Sequence, residues 1–505
     1  MNIFKKKSLY LAVAGVSALG AGSASAVTLN ADGLGNVLLY PYYTVRETSA
    51  GNAYNSLLSV VNTTASAKAV KVRFLEGKNS REVLDFNLYL SHNDVWVAAV
   101  IPTADGAGIV TPDNSCTDPV VSHDENNPNQ FVNFAYVASA DDPANDDLDR
   151  TREGYVEIIE MGTMYSWGDF YATHVGGVPR HCDYLRASGG AVADHWTTIP
   201  SGGLFGSMTL VNVGTGVDFG YDPVALSQFV QGRSLWNPPG DVKPQLADAD
   251  PISLVVDTSN QNFPAAYITN WGPNPNVDPV SAVLMHDNVY NEFVLDKGTG
   301  SKTDWIVTMP TKTYYYSGVS DKELKVTKLF QRNFKSIGAC DDVSIVRYDR
   351  EERTVKTPGS FSPPAPTVKD SLCWEANVIT FNSSNVFGSK NVANLTTTFE
   401  NGWASLTFSP IASSIGPIPY SAAAHQLGGS FTTIVSLSNG GTSFSPAATY
   451  YGLPVIGFAA WTFSNGNVGG VLSNYGGNYI HKYTRFVCTT GTFGNCAGIT
   501  SAPAN

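Results

Sequence analysis

Across residues 70–90 apolar side chains fall on every second position, first Val70, Val72 and Phe74, then Leu84, Phe86, Leu88 and Leu90. A period of two sends one set of side chains to one face of an extended strand and the alternate set to the other. Between the two runs, Glu76-Gly77-Lys78-Asn79 supplies turn-forming residues, so the stretch reads as a β-hairpin. Its charges are then expected on the solvent face or in the turn, with Lys71 and Arg73 set against Asp85 or Glu82. Exposed pairs of this kind contribute roughly 0–1 kcal/mol each and guard register rather than make a site.

The same alternation recurs over residues 132–137, 155–160, 207–213, 251–257, 282–286, 305–309, 312–316, 343–348, 404–408, 432–437, 457–463 and 479–486. Only two stretches predict helix. One is 222–230, and the other is 324–330, where Ser320 and Glu323 resemble a capping box. With 47 Gly, 28 Pro and 24 each of Tyr and Phe, the composition favours short strands and many turns. The expected fold is therefore all-β, built of two or three antiparallel β-sandwich-like units with long loops and disulfide staples.

At the start, Lys5, Lys6 and Lys7 precede an apolar run over residues 9–19 and then Ala24-Ser25-Ala26. This is the pattern of a cleaved signal peptide over residues 1–26. No later run is apolar for long enough to cross a bilayer as a helix. The expected destination is secretion, to the extracellular space or outer cell surface, with the periplasm as the alternative. The chain then divides into an N-terminal β-sandwich-like domain at 27–200, a middle β-rich domain at 201–353, a Pro-rich linker or loop at 354–370 and a C-terminal β-rich domain at 371–505. The net charge of −12 argues against nucleic acid or anionic lipid, both of which need an excess of Lys and Arg.

Six cysteines, Cys116, Cys182, Cys340, Cys373, Cys488 and Cys496, give an even count in a chain read as exported. That favours disulfides over metal ligation. Nearest-neighbour pairing is expected, most firmly for Cys488 with Cys496.

The usual catalytic signatures, G-x-S-x-G, H-E-x-x-H, the P-loop and G-x-G-x-x-G, do not occur. No catalytic residue is assigned. The acidic run Asp141, Asp142, Asn145, Asp146, Asp147 and Asp149 offers the hard oxygen ligands that calcium takes, though without EF-hand spacing. Calcium is the one cofactor considered; otherwise none is expected. His174, His181 and His195 are the closest histidines, and their spacing fits ordinary packing better than a metal site. Glu157 and Glu160 stand three apart on a predicted strand, so they face opposite sides and cannot form a carboxylate pair. Tyr40, Tyr42 and Tyr43, with the tyrosines at 314–316, could stack on sugars but read more readily as cross-strand pairs.

The segments GLGNVLLYPYYTV at 33–45, VKVRFLEGKNSREVLDFNLYLS at 70–91, REGYVEIIEMG at 152–162, TDWIVTMPTK at 303–312 and GLPVIGFAAWTF at 452–463 carry a resemblance. The chain resembles a family of exported β-rich proteobacterial proteins with no known activity. That resemblance implies an envelope or extracellular setting and, because it reaches both ends, units that interweave. It transfers no ligand and no site residue.

Three functions remain as expectations. The first is a noncatalytic surface or extracellular protein of structural, adhesive or filament-forming type, whose partners are copies of itself or cell-surface and matrix components. The second is a glycan- or calcium-binding module. The third is a polysaccharide-active enzyme.

Overall fold

The computed structural model describes residues 26–139, 142–258, 264–315, 329–330, 334–354, 370–408, 425–438, 440–468 and 471–489. Within them the fold is all-β, made of several mostly antiparallel sheets with a few short helices. The expected leader over residues 1–26, apart from Ala26, and the expected helix over 324–330 up to residue 328 lie outside the described residues. Among those that are described, no helix is long and apolar enough to cross a membrane.

A seven-stranded sheet forms the frame of the first sandwich. Its spatial order is Thr28–Leu29, Val224–Ser227, Val37–Thr44, Glu153–Thr163, Lys68–Glu76, Glu82–Leu90 and Cys116–Asp118. The hairpin expected at 70–90 is present, with Val72 opposite Phe86 and Val70 opposite Leu88. Val70, Val72 and Phe74 point into a core shared with a six-stranded sheet that contains Asn55–Asn62, Val95–Pro102 and Leu204–Asn212. There they meet Trp96, Val100, Met208 and Leu210. Burial of large apolar side chains at ~1.5–3 kcal/mol each is the main force holding the two sheets together. Strands on both sides of residue 200 share these sheets.

The opposite face of the seven-stranded sheet is also covered, and this corrects the expected solvent face. Lys68 and Lys71 have no exposed surface and Arg73 only 4 %. The Pro-rich stretch after Leu235 runs across them: Asn87 donates to the Asn237 carbonyl, and the Gly240 amide donates to Asp85. The expected partners do meet, Lys71 with Asp85 and Arg73 with Glu82 at 2.7 Å, but inside the protein.

Two five-stranded sheets make the second sandwich. One contains Val392–Leu395, Ala376–Phe381, Lys302–Thr308, Ile456–Val468 and Val471–Ile480. The other contains Asp370–Leu372, Asp341–Asp349, Asn401–Thr407, Asn288–Val294 and Lys482–Thr484. Between them Phe293 stacks on Phe381 at 5.0 Å, beside Trp305. On the other side of the first of these sheets, Ile306, Val378 and Phe458 join the core of the first sandwich. Phe458 stacks on Tyr221 at 4.8 Å, and the Thr308 hydroxyl donates to the Pro41 carbonyl. The first of these sheets thus contributes one face to each of two apolar cores. Among the described residues four smaller sheets, of four, three, two and two strands, complete the fold, and in the four-stranded one Ala265–Asn270 pairs with Phe431–Ser436, more than 160 residues away in sequence.

Four local expectations differ from the structure. Residues 222–230 hold the strand Val224–Ser227, paired with Val37–Leu39, instead of a helix. Asp278–Leu284 is a helix with Pro at its start, so of the strand expected over 282–286 only Met285–His286 is present. Its residues from Pro279 to Leu284 are all buried, so no polar face marked the helical period. Lys312–Tyr315 forms a 3₁₀ turn, and residues 132–137 form a turn rather than a strand.

Candidate functional site

Residues 165–196 fold as a small helical insertion on the outside of the seven-stranded sheet. Trp167–Ala172 is a short helix. Two short strands, His174–Val175 and Val178–Pro179, are joined by Gly176 and Gly177, whose φ values of +64° and +87° suit the two-residue turn that only glycine enters at no steric cost. Cys182–His195 is helical at both ends and broken at residues 187–190. Gly190, at the break, lies so close to Trp236 that an added Cβ would come within 2.6 Å of its ring.

Three kinds of tether fix this insertion. A disulfide joins Cys182 to Cys116 at the sheet edge. Asp169 accepts from the Ala67 amide at 2.7 Å, and Arg186 donates to the Thr117 carbonyl at 2.7 Å. His174 Nδ1 meets the Ser91 hydroxyl at 3.0 Å. The side chains facing outward are therefore held on a rigid base.

What they present is a run of aromatic rings. Trp167 packs against Phe170 at 5.4 Å and Tyr171 at 5.9 Å, and Tyr171 stacks on Tyr184 at 5.0 Å. His181 lies against Phe170, Tyr171 and Tyr184. Trp167 is 52 % exposed and Tyr184 49 %, with Tyr165, Val175 and Val178 comparably open. Exposed rings gathered in this way make the insertion the candidate interaction surface. Beside the rings, Phe170, Val175, Val178, Pro179, Arg180 and His181 line an open groove of about 440 Å³. The Arg180 guanidinium sits over the Phe170 ring at 4.3 Å, where the negative face of the ring attracts it and holds it at the groove.

All three histidines singled out in the sequence belong to this insertion, but they do not converge. His174 lies 3.6 Å from Asp94, His181 is stacked among the rings, and His195 packs on Trp196. Among the described residues no group of three or more His, Cys, Asp or Glu side chains is placed to hold a metal. The acidic run is drawn apart by basic partners. Asp142 is buried and paired with Arg150 at 2.9 Å; Asp149 is paired with Arg46 and with Lys390, each at 2.7 Å. Asn145 meets Lys78 and donates to Asp147, and Asp146 accepts from the Ala138 amide. Asp141 lies outside the described residues. Two disulfides follow the nearest-neighbour pattern, Cys116–Cys182 and Cys340–Cys373. Cys488 is disulfide-bonded as well, while Cys496 lies outside the described residues.

Several carboxyls titrate far from their usual range, all for the same reason. Burial pushes Glu157 up to about 7, Asp304 up to about 7 and Glu375 up to about 8. None of them lines the groove. Glu157 bonds Arg73 at 2.7 Å while Glu160 bonds Lys68 at 2.6 Å, so the two serve different cations. The tyrosines at 40, 42 and 43 are wholly buried; those at 314 and 315 are half-buried; Tyr316 lies outside the described residues. The open rings at 165–184 were missed because they do not alternate, and their signal is aromatic density beside Gly-Gly and Cys without a period.

No family model, curated protein or solved structure matches this chain, so the resemblance noted above carries no argument and function rests on these residues alone.

Proposed function

We propose that the protein is a noncatalytic adhesive binder that grips neutral glycan in the aromatic groove of the 165–196 insertion. The observation that carries this reading is the rigidly tethered cluster of open rings, Trp167, Phe170, Tyr171 and Tyr184, beside Arg180. A pyranose ring offers an apolar C–H face and an edge of hydroxyls. The electron-rich face of an aromatic ring attracts the first, and N–H donors such as those of Arg180 satisfy the second. The net charge of −12 disfavours polyanionic sugars. Disulfides are compatible with the extracellular or periplasmic setting that an adhesive protein needs.

A glycan array probed with the full chain tests the reading. Hits among neutral oligosaccharides are expected, whereas an array with no hits, or with hits confined to sulfated and uronic-acid sugars, rejects it. Self-association is a second reading, favoured by Phe431 and Phe444. They stack at 5.9 Å, are 51 % and 65 % exposed, and flank the edge of a four-stranded sheet. A chain that stays monomeric by light scattering at high concentration removes it.

A further inference from the structure

At the seam of the two sandwiches lies a second cavity, of about 100 Å³ and more enclosed than the groove. Its walls are aliphatic, with Val289, Val307 and Ile456 from the second sandwich and Leu284 from the end of the helix Asp278–Leu284. Leu29 and Val224, at the edge of the seven-stranded sheet, close it from the first. Ile480 and Tyr483, 60 % and 47 % exposed, mark the side open to solvent. Two imidazoles, His286 and His481, are its most buried polar side chains.

The two histidines differ in a way that points to a ligand. His481 is fully engaged: Nε2 donates to the Ile306 carbonyl at 2.9 Å, which leaves Nδ1 to accept from Asn291 Nδ2 at 3.0 Å. His286 is 96 % buried, and its Nδ1 has no hydrogen-bond partner among the described residues. The Tyr483 ring lies over it at 3.8 Å and fixes its plane. A buried polar atom left unpaired costs about 1–3 kcal/mol, so its presence in a packed interior calls for a partner that the chain does not supply.

We propose that this cavity binds a small uncharged molecule, apolar over most of its surface and carrying one hydroxyl, which hydrogen-bonds to His286. The volume sets the size: apolar cavities of about 150 Å³ admit benzene, so this one, at about 100 Å³, takes no more than a single small ring, with part of that ring in the open side. The walls set the polarity. No charged group lines the cavity: Arg485, the nearest guanidinium to His286, is turned to the carbonyls of Val283 and Met285. Burial and Arg485 both hold the His286 imidazole neutral, ready to donate or accept one hydrogen bond. A charged ligand would lose its hydration with no counter-ion to meet it.

Phenol is a suitable probe, with toluene as the control that lacks the hydroxyl. In the full chain labelled with ¹⁵N-histidine, millimolar phenol is expected to move the ring resonances of His286 and leave the exposed His92 and His123 unchanged. Toluene is expected to bind at least about tenfold more weakly. In His286→Phe phenol is expected to leave the neighbouring His481 ring unmoved, and if that variant fails to fold, Val224→Phe at the half-buried wall should abolish the His286 response by filling the space. A His286 ring that phenol leaves unmoved, equal binding of toluene, or an ordered water on Nδ1 that phenol does not displace would each overturn the proposal.

Discussion

The Ser80 hydroxyl donates to Glu375 Oε2 at 2.5 Å across 295 residues of sequence, and Tyr155 donates to the same hydroxyl at 2.7 Å. Ser80 stands at the tip of the 68–90 hairpin; Glu375 begins the strand region that lines the second sandwich. Backbone bonds reinforce the contact, because the amides of Glu375 and Ala376 both donate to the Gly77 carbonyl. The hairpin turn is thus a plug that locks the two sandwiches together.

Burial at this plug raises Glu375 to about 8, against a usual 4.5. The folded protein then keeps a proton that the unfolded chain has already released, so stability is greatest below about pH 4.5 for this group and is lost as pH rises towards 8. Glu157 and Asp304, both raised to about 7, act in the same direction over a narrower range. Urea midpoints measured at pH 5.5 and pH 8.5 should fall with pH, and Glu375→Gln should flatten that slope. An unchanged slope in the variant would show that Glu375 is ionised in the fold.

Arg150 has no exposed side chain and holds two carboxylates at once, Glu76 at 2.8 Å and Asp142 at 2.9 Å, with its guanidinium 4.0 Å from the Tyr136 ring centre. Removing it strands two buried charges. Arg150→Ala should cost about 3–5 kcal/mol in chemical denaturation. Arg150→Lys should rescue little of this, because one ammonium cannot reproduce the fork that meets both carboxylates.

Lys71 gives a graded test of the covered sheet face. Its Nζ is buried and paired with Asp85, which keeps some contact with solvent. Lys71→Ala should destabilise by about 1–3 kcal/mol, whereas Lys71→Met, which keeps the aliphatic stem, should lie within about 1 kcal/mol of wild type. Phe86→Asp, placed in the apolar core, should abolish folding. Melting curves that leave Lys71→Ala unchanged would put this face back in solvent.

The course of the hairpin was legible because period-two alternation depends only on neighbouring residues. The fate of its charged face was not. Lys71, Arg73 and Glu157 have the spacing of a solvated face, and only chain arriving from residues 235–246 and 314 makes it an interior one. The helix Asp278–Leu284 was hidden for the opposite reason: buried all round from Pro279 to Leu284, it has no polar face whose period could be read. Asp142 lies eight residues from Arg150, yet proximity in sequence could not tell a paired carboxylate from a calcium ligand. The aromatic insertion was invisible to a search for alternation, since its rings converge through a helix, a glycine turn and a disulfide.

That disulfide encloses a 66-residue separation, for which chain-entropy arguments give about 4 kcal/mol. Replacing Cys116 and Cys182 together by Ser should loosen the insertion first. Hydrogen exchange should speed up over residues 165–196 at conditions where the Val70–Val72 region stays protected. Uniform loss of protection would mean that the insertion and sheet unfold as one unit.

The open rings on the insertion are proposed to bind neutral glycan. Calorimetric titration of the best neutral oligosaccharide into the wild type, Trp167→Ala, Tyr184→Ala and Trp403→Ala tests it directly. Trp403 is an exposed tryptophan on a different sheet and serves as the control. Kd is expected to rise at least about tenfold, some 1.4 kcal/mol, for the first two variants and to stay unchanged for the third. Wild-type affinity in both Trp167→Ala and Tyr184→Ala, or loss of binding in Trp403→Ala alone, would contradict it.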